Sequence, residues 1–193
     1  MEQLKNSILS HITVIQGVLN TPECLKSVEA FCTLASDAIQ MGNKIIFCGN
    51  GGSAADCQHL AAEFVGRYKK ERASIGAVAL TVDTSALTAI GNDYGYDLVF
   101  SRQLEGLGKK GDLLVGITTS GNSPNILNAI RKAKEMGIKT VGMTGSNEKA
   151  EIKKLADVCI CVPSNDTPRI QEAHIMIGHL MCDYAETMFV KPR

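Results

Sequence analysis

His59 and Glu63 stand four residues apart in "CGNGGSAADCQHLAAEF", residues 48–64. On a helix that spacing puts an imidazole and a carboxylate on one face, a turn apart. Such a pair can take a proton and return one, and the same groups can ligate a zinc-like ion. Pairs of this kind usually end as solvated or salt-bridged surface, so their surroundings have to decide. A second stretch, "RIQEAHIMIGHL" (169–180), adds Arg169, Gln171, Glu172, His174 and His179. Three of the four histidines therefore fall in two short segments, and His11 lies apart near the N-terminus. Gln171 and His179 are eight residues apart, about 12 Å of helical rise. Two ligands for one ion from that helix must both reach far or come from different copies of the chain. His174 points at another angle and reads as a packing residue.

Two further stretches suit an anion. "CGNGGS" (48–53) and "TTSGNS" (118–123) each offer small residues, inward-turning backbone N–H groups, hydroxyls and then a helix start. A phosphate ester is held well by that combination. The plain alternative for each is an ordinary strand-to-helix turn capped by Ser53 or Ser123. Two such loops weaken that alternative. Neither fits G-x-G-x-x-G or G-x-x-x-x-G-K-[ST], which disfavours a dinucleotide or P-loop nucleotide site.

The elements that must position these groups follow from pattern. Two helices open the chain, the second signalled by Thr21 as N-cap, Pro22 at its first position and Glu23, with Gly42 as a stop. Strands are predicted at 44–48, 77–81, 112–117, 139–144 and 158–163. Between them run helical patterns from 53 to about 68, near 85–91 and 95–106, from 123 to 137, through "EKAEIKKLA", and from about 168 to 188. Continuous apolar strands separated by helices imply an α/β fold with a parallel sheet covered on both faces. Ligands in such folds sit at the carboxyl ends of the strands.

Composition narrows the function. The 193 residues fit one domain, and the formal net charge is zero with Lys and Arg scattered; both facts argue against nucleic acid or an anionic membrane surface as a partner. No apolar window approaches a membrane span and the N-terminus has no leader-like segment. The seven cysteines are odd in number and lack C-x-x-C pairing. They read as free thiols in a reducing cytoplasm, Cys159 and Cys161 sharing one face of a strand.

Four segments, "CGNGGSAADCQHLAAEFVGRY", "GNDYGYD", "GITTSGNSPN" and "RIQEAHIMIGH", resemble in order and spacing the bacterial phosphoheptose isomerases, the sedoheptulose 7-phosphate isomerases of the sugar-isomerase (SIS) fold. The likeness covers nearly the whole chain. It implies a single SIS domain over residues 1–193: a five-stranded parallel sheet in a three-layer αβα arrangement, with N-terminal helices (about 1–42) used in packing a homotetramer. It also implies active sites at subunit boundaries, which would relieve the reach problem. By position, Asn50, Gly51, Gly52 and Ser53 match the first substrate loop, and Asn92 and Asp93 the pair that contacts sugar hydroxyls. Thr118, Thr119, Ser120 and Ser123 match the phosphate loop. His59, Glu63, Gln171 and His179 match the ligands of one zinc ion per subunit, with Gln171 also touching substrate. Glu63 matches the base and His179 the acid. Thr118 stands where many relatives have Ser, which keeps the hydroxyl. Pro168 replaces an acidic residue of some relatives, with Asp166 as a substitute nearby.

The expected reaction is an aldose–ketose interconversion through an enediol, serving ADP- or GDP-heptose precursors and surface glycans in the cytoplasm. The alternatives are another SIS phosphosugar enzyme, or a non-catalytic relative that associates with the replication initiator. The last need not keep Glu63 and His179, and both are present.

Overall fold

The computed structural model describes residues 1–189. Helices α1 (Glu2–Asn20) and α2 (Pro22–Gln40) open the chain. Pro22 does start α2, but Thr21 does not cap it with its side chain. The Thr21 hydroxyl donates to the Gly17 carbonyl at 2.7 Å instead, satisfying an orphan acceptor in the last turn of α1.

Five strands follow: β1 (Ile45–Gly49), β2 (Ala77–Ala79), β3 (Leu113–Ile117), β4 (Lys139–Thr144) and β5 (Val158–Cys161). They pair in parallel in the order β2-β1-β3-β4-β5. Helices α3 (Gly52–Val65), α4 (Thr84–Tyr94), α5 (Val99–Leu107), α6 (Pro124–Glu135), α7 (Ile152–Leu155) and α8 (Thr167–Phe189) make the connections. Side chains alternate across a strand, so each strand feeds two cores. Ile45 and Phe47 pack with residues of α2, α3 and α8 on one face. Ile46 and Cys48 pack with α5 and α6 on the other. This double burial explains why the strands read as continuous apolar runs. The three-layer α/β expectation is met.

Several boundaries differ from the sequence reading: β2 and β5 end at Ala79 and Cys161 rather than at 81 and 163, and α4 runs on to Tyr94; two further differences have a visible cause. The helix expected to reach 68 ends at Val65, where the Gly66 N–H closes on Ala62 and the chain turns away. The helix expected over 95–106 starts only at Val99, because Gly95 (φ +89) breaks the path and a 3₁₀ turn, Tyr96–Leu98, intervenes.

From β1 the chain crosses to β2 on one side and then to β3 on the other. Such a reversal opens a crevice at the carboxyl ends of the two strands. The loops after β1 and β3 lie there. On one flank of the crevice α3 and α8 pack so closely that a Cβ on Gly178 would come within 2.6 Å of Leu60. Among the described residues no helix is long and apolar enough to cross a membrane. All seven cysteines are free, with Cys159 and Cys161 on one face of β5, their sulfurs 3.9 Å apart.

Candidate active site

The loop after β3 gathers three hydroxyls. Thr118 Oγ1 is 2.9 Å from Ser123 Oγ and 3.3 Å from Ser120 Oγ. Ser123 occupies the N-cap position of α6 but makes no side-chain bond to a helix N–H, and Ser53 does not cap α3. Neither serine plays the plain capping role. Gly121 turns this loop at φ +73, and a Cβ there would strike Ala150. Thr119 and Ser120 line a cavity of about 270 Å³ with Asn147, Asn165, Thr167 and Ile170. Asp166 falls between Asn165 and Thr167, at the mouth of α8.

The loop after β1 is held from across the crevice. Asn50 and Asn125 exchange carboxamide hydrogen bonds of 3.0 and 2.9 Å, and the Tyr96 hydroxyl donates to Asn50 Oδ1 at 3.2 Å. Gly51 has φ +57, a left-handed geometry that favours glycine. Gly52 lies against Gln171: a Cβ there would sit 2.7 Å from its carboxamide nitrogen. Ser53 is buried. Asn92 and Asp93, exposed in the last turn of α4, bond to each other at 2.8 Å.

Below that loop the acid and the imidazoles meet. His59 Nε2 lies 2.8 Å from His179 Nε2 and 3.4 Å from Glu63 Oε1. One Nε2 therefore carries the proton and the other accepts it. The three residues come from α3 and α8 of one chain. Gln171 is not hydrogen-bonded to them among the described residues; its carboxamide rests at the start of α3, seven residues before His59. The helices run side by side in the same direction, which pairs Gln171 with Gly52 and His179 with His59. His174 is fully buried and donates its Nε2–H to the Thr144 carbonyl at 3.3 Å. Burial lowers its pKa to about 4, against the backbone hydrogen bond, so it packs as a neutral ring.

Several residues here escaped the sequence reading. Asp56, on α3, is raised to about 6 by burial, with His59 opposing. Tyr68 stacks on His179, ring centroids 5.6 Å apart at 28°. Asn125, Tyr96, Asn147, Asn165 and Thr167 complete the two loops. Asn125 and Tyr96 do lie inside the quoted motifs "GNSPN" and "GNDYGYD", so adjacency was the available signal.

A family model described as SIS domain matches residues 16–145. A phosphoheptose isomerase of Akkermansia muciniphila is 54% identical over 185 residues, 96% of each chain. One of Nitratiruptor sp. is 51% identical over 189 residues, 98% of this chain and all of that one. The chain belongs to the phosphoheptose isomerase family. The solved structure of the Neisseria gonorrhoeae phosphoheptose isomerase superposes with TM-score 0.89 at 42% identity, over 96% of this chain and 98% of that one. Family membership makes the chain an isomerase, and the non-catalytic interaction reading is not favoured.

The imidazole and carboxylate donors suit zinc. Among the described residues no group of three or more His, Cys, Asp and Glu is spaced to hold an ion as it stands. The two Nε2 atoms at 2.8 Å would part to about 3.3 Å, the separation of two nitrogens bound tetrahedrally at about 2.0–2.1 Å. A small turn of the half-exposed His59 ring closes that gap, so the donor chemistry of the two imidazoles and the carboxylate suits the ion.

Proposed function

We propose that the chain interconverts sedoheptulose 7-phosphate and D-glycero-D-manno-heptose 7-phosphate. The observation that carries this is the contact of Glu63, His59 and His179 in a family of phosphosugar isomerases. Ketose-to-aldose conversion moves a proton from C1 to C2 and another from O1 to O2. The Glu63 carboxylate takes the C1 proton and returns it to C2 across the enediol. His179 gives a proton to O2 and accepts the one leaving O1. The Thr118, Thr119, Ser120 and Ser123 hydroxyls hold the phosphate at the remote end, which orients the reacting carbons. Asn50, Gly51, Gly52, Ser53, Asn92 and Asp93 complete the sugar contacts.

His59, Glu63 and His179 would hold one zinc ion per subunit, with Gln171 reaching in as a weaker carboxamide ligand. When bound, such an ion supplies an electrophile for the oxygens that become negative in the enediol. The working form is a homotetramer in the cytoplasm, packed in part through residues 1–42 and feeding heptose into surface glycans. The exposed apolar face of α1, with Leu4, Ile8, Leu9 and Ile12, supports burial by another subunit.

A coupled assay with sedoheptulose 7-phosphate, before and after chelation, tests the reading. Turnover of the phosphate ester far above that of free sedoheptulose is expected, with loss on chelation and return on adding zinc. Equal rates on both sugars would remove the phosphate role. No turnover of the ester by the zinc-loaded protein would sink the reaction.

A further inference from the structure

Glu186 and Arg72 form a buried ion pair at 3.0 Å, their side chains 2% and 3% exposed. Burying an ion pair stabilises a fold only when the geometry satisfies both charges, so what this one holds is informative. Glu186 accepts from the backbone N–H groups of Tyr68 (3.2 Å), Lys69 (2.8 Å) and Lys70 (2.8 Å). Burial alone would raise its carboxyl; those N–H groups and the Arg72 guanidinium outweigh it and hold the pKa below the ordinary value. Arg72 donates to the carbonyls of Glu63 (2.7 Å), Phe64 (2.9 Å), Gly66 (3.3 Å) and Ala73 (3.0 Å).

The two charges thus tie the last turn of α3, the loop after it and α8 into one unit. One end of that unit is the backbone of Glu63. Another is Tyr68, whose ring stacks against the imidazole of His179 with a tilt of 28°. Glu186 itself is seven residues from His179, about 10 Å along the helix, too far to touch a reacting atom.

We propose that Glu186, Arg72 and Tyr68 are positioning residues for the proton-transfer pair. The ion pair fixes the Tyr68 ring, the stacked ring stops the His179 imidazole from turning, and the same guanidinium holds the helix turn that carries Glu63. This rests on the assignment of Glu63 and His179 to proton transfer. Misplacing a reacting group by an ångström costs on the order of 100-fold in rate, so the effect belongs in kcat.

The test pairs kinetics with a readout that needs no turnover. Tyr68 is half-buried at the edge of the core, so urea midpoints of its variants are measured first, and Tyr68→Phe keeps the ring that packs there. Tyr68→Ala should lower kcat by roughly 10–100-fold with KM within about threefold, and Tyr68→Phe, which keeps the ring, should recover most of that loss. In chelated protein, carbethoxylation of His179 by diethyl pyrocarbonate, followed by peptide mass spectrometry at one pH, should be several-fold faster in Tyr68→Ala than in wild type. Glu186→Gln should mimic Tyr68→Ala in both measurements; should it fail to fold, the Tyr68 pair decides alone. Wild-type kcat and His179 reactivity in Tyr68→Ala would overturn the proposal, as would an equal kcat loss in Tyr68→Phe. A wild-type protein without isomerase activity would instead sink the reaction assignment, and the carbethoxylation rates would still decide whether the ring restrains His179.

Discussion

Glu63 lies within ion-pair distance of one imidazole, His59, and that ring passes the contact to His179. Replacing the Glu63 carboxylate by a carboxamide keeps the size and removes the basic oxygen. Glu63→Gln should lower kcat about 1000-fold, within the range for loss of a general base. Zinc content has to be measured on the same sample, since a lost ion gives the same fall; turnover within a few-fold of wild type would take the base role from Glu63. The loop hydroxyls are assigned by the proposed function to the other end of the substrate. Ser120→Ala with Ser123→Ala should raise KM roughly 10–100-fold, the worth of one or two hydrogen bonds to a charged group. An unchanged KM would place the phosphate elsewhere.

Helices α3 and α8 carry Glu63 and His179, and Gly178 sets how near they approach. Leu60 is fully buried, so its methyls have no room to retreat from a new Cβ. Gly178→Ala gains up to about 1 kcal/mol of helix propensity. We expect overpacking to outweigh that gain and leave the variant about 1–2 kcal/mol less stable. Since His179 is the next residue, kcat should fall with stability. Urea denaturation beside steady-state kinetics reads both, and a variant as stable as wild type would show that the contact yields. The same helices bear on subunit sharing. Glu63 and His179 both lie against His59 within one chain, so co-refolded mixtures of Glu63→Gln and His179→Ala subunits should regain no activity. Recovery in confirmed hybrids would mean that the two residues act across a boundary.

At the scale of the whole molecule, His174 makes stability depend on pH. Its folded pKa is about 4, below the ordinary 6.5 of the unfolded chain. Between those values the unfolded chain binds a proton that the buried ring refuses, so stability falls as pH drops from about 6.5 and levels off below about 4. The full loss is about 3 kcal/mol, at about 1.4 kcal/mol per pH unit. His174→Gln keeps a donor for the Thr144 carbonyl and has nothing to titrate. Urea midpoints from pH 7 to 4.5, at one protein concentration because association shifts stability, should lose their slope in that variant. An unaltered slope would assign it to other groups.

Local pattern was enough to find the strands and most of the helices between them, because the central strands are buried on both faces and turn residues such as Gly42 and Pro124 mark helix ends. It was also enough to mark His59 with Glu63, which share a face through helical period alone, and the two hydroxyl loops, which follow the carboxyl ends of strands, where ligands sit in such folds. The elements that lay beyond it depend on partners distant in the chain. Thr21 stands at the N-cap position as the pattern indicates, but that its hydroxyl turns to the Gly17 carbonyl depends on how the preceding helix ends. The path of the chain after α3 and the placing of Tyr68 depend on Glu186, more than a hundred residues away. Whether His59 and His179 could meet rested on the direction in which α3 and α8 pack, which the spacing of Gln171 and His179 along one helix cannot express. Residue types and periods determine which groups are available and on which face; only the tertiary structure decides which faces meet, because that depends on contacts between segments that the chain order keeps apart.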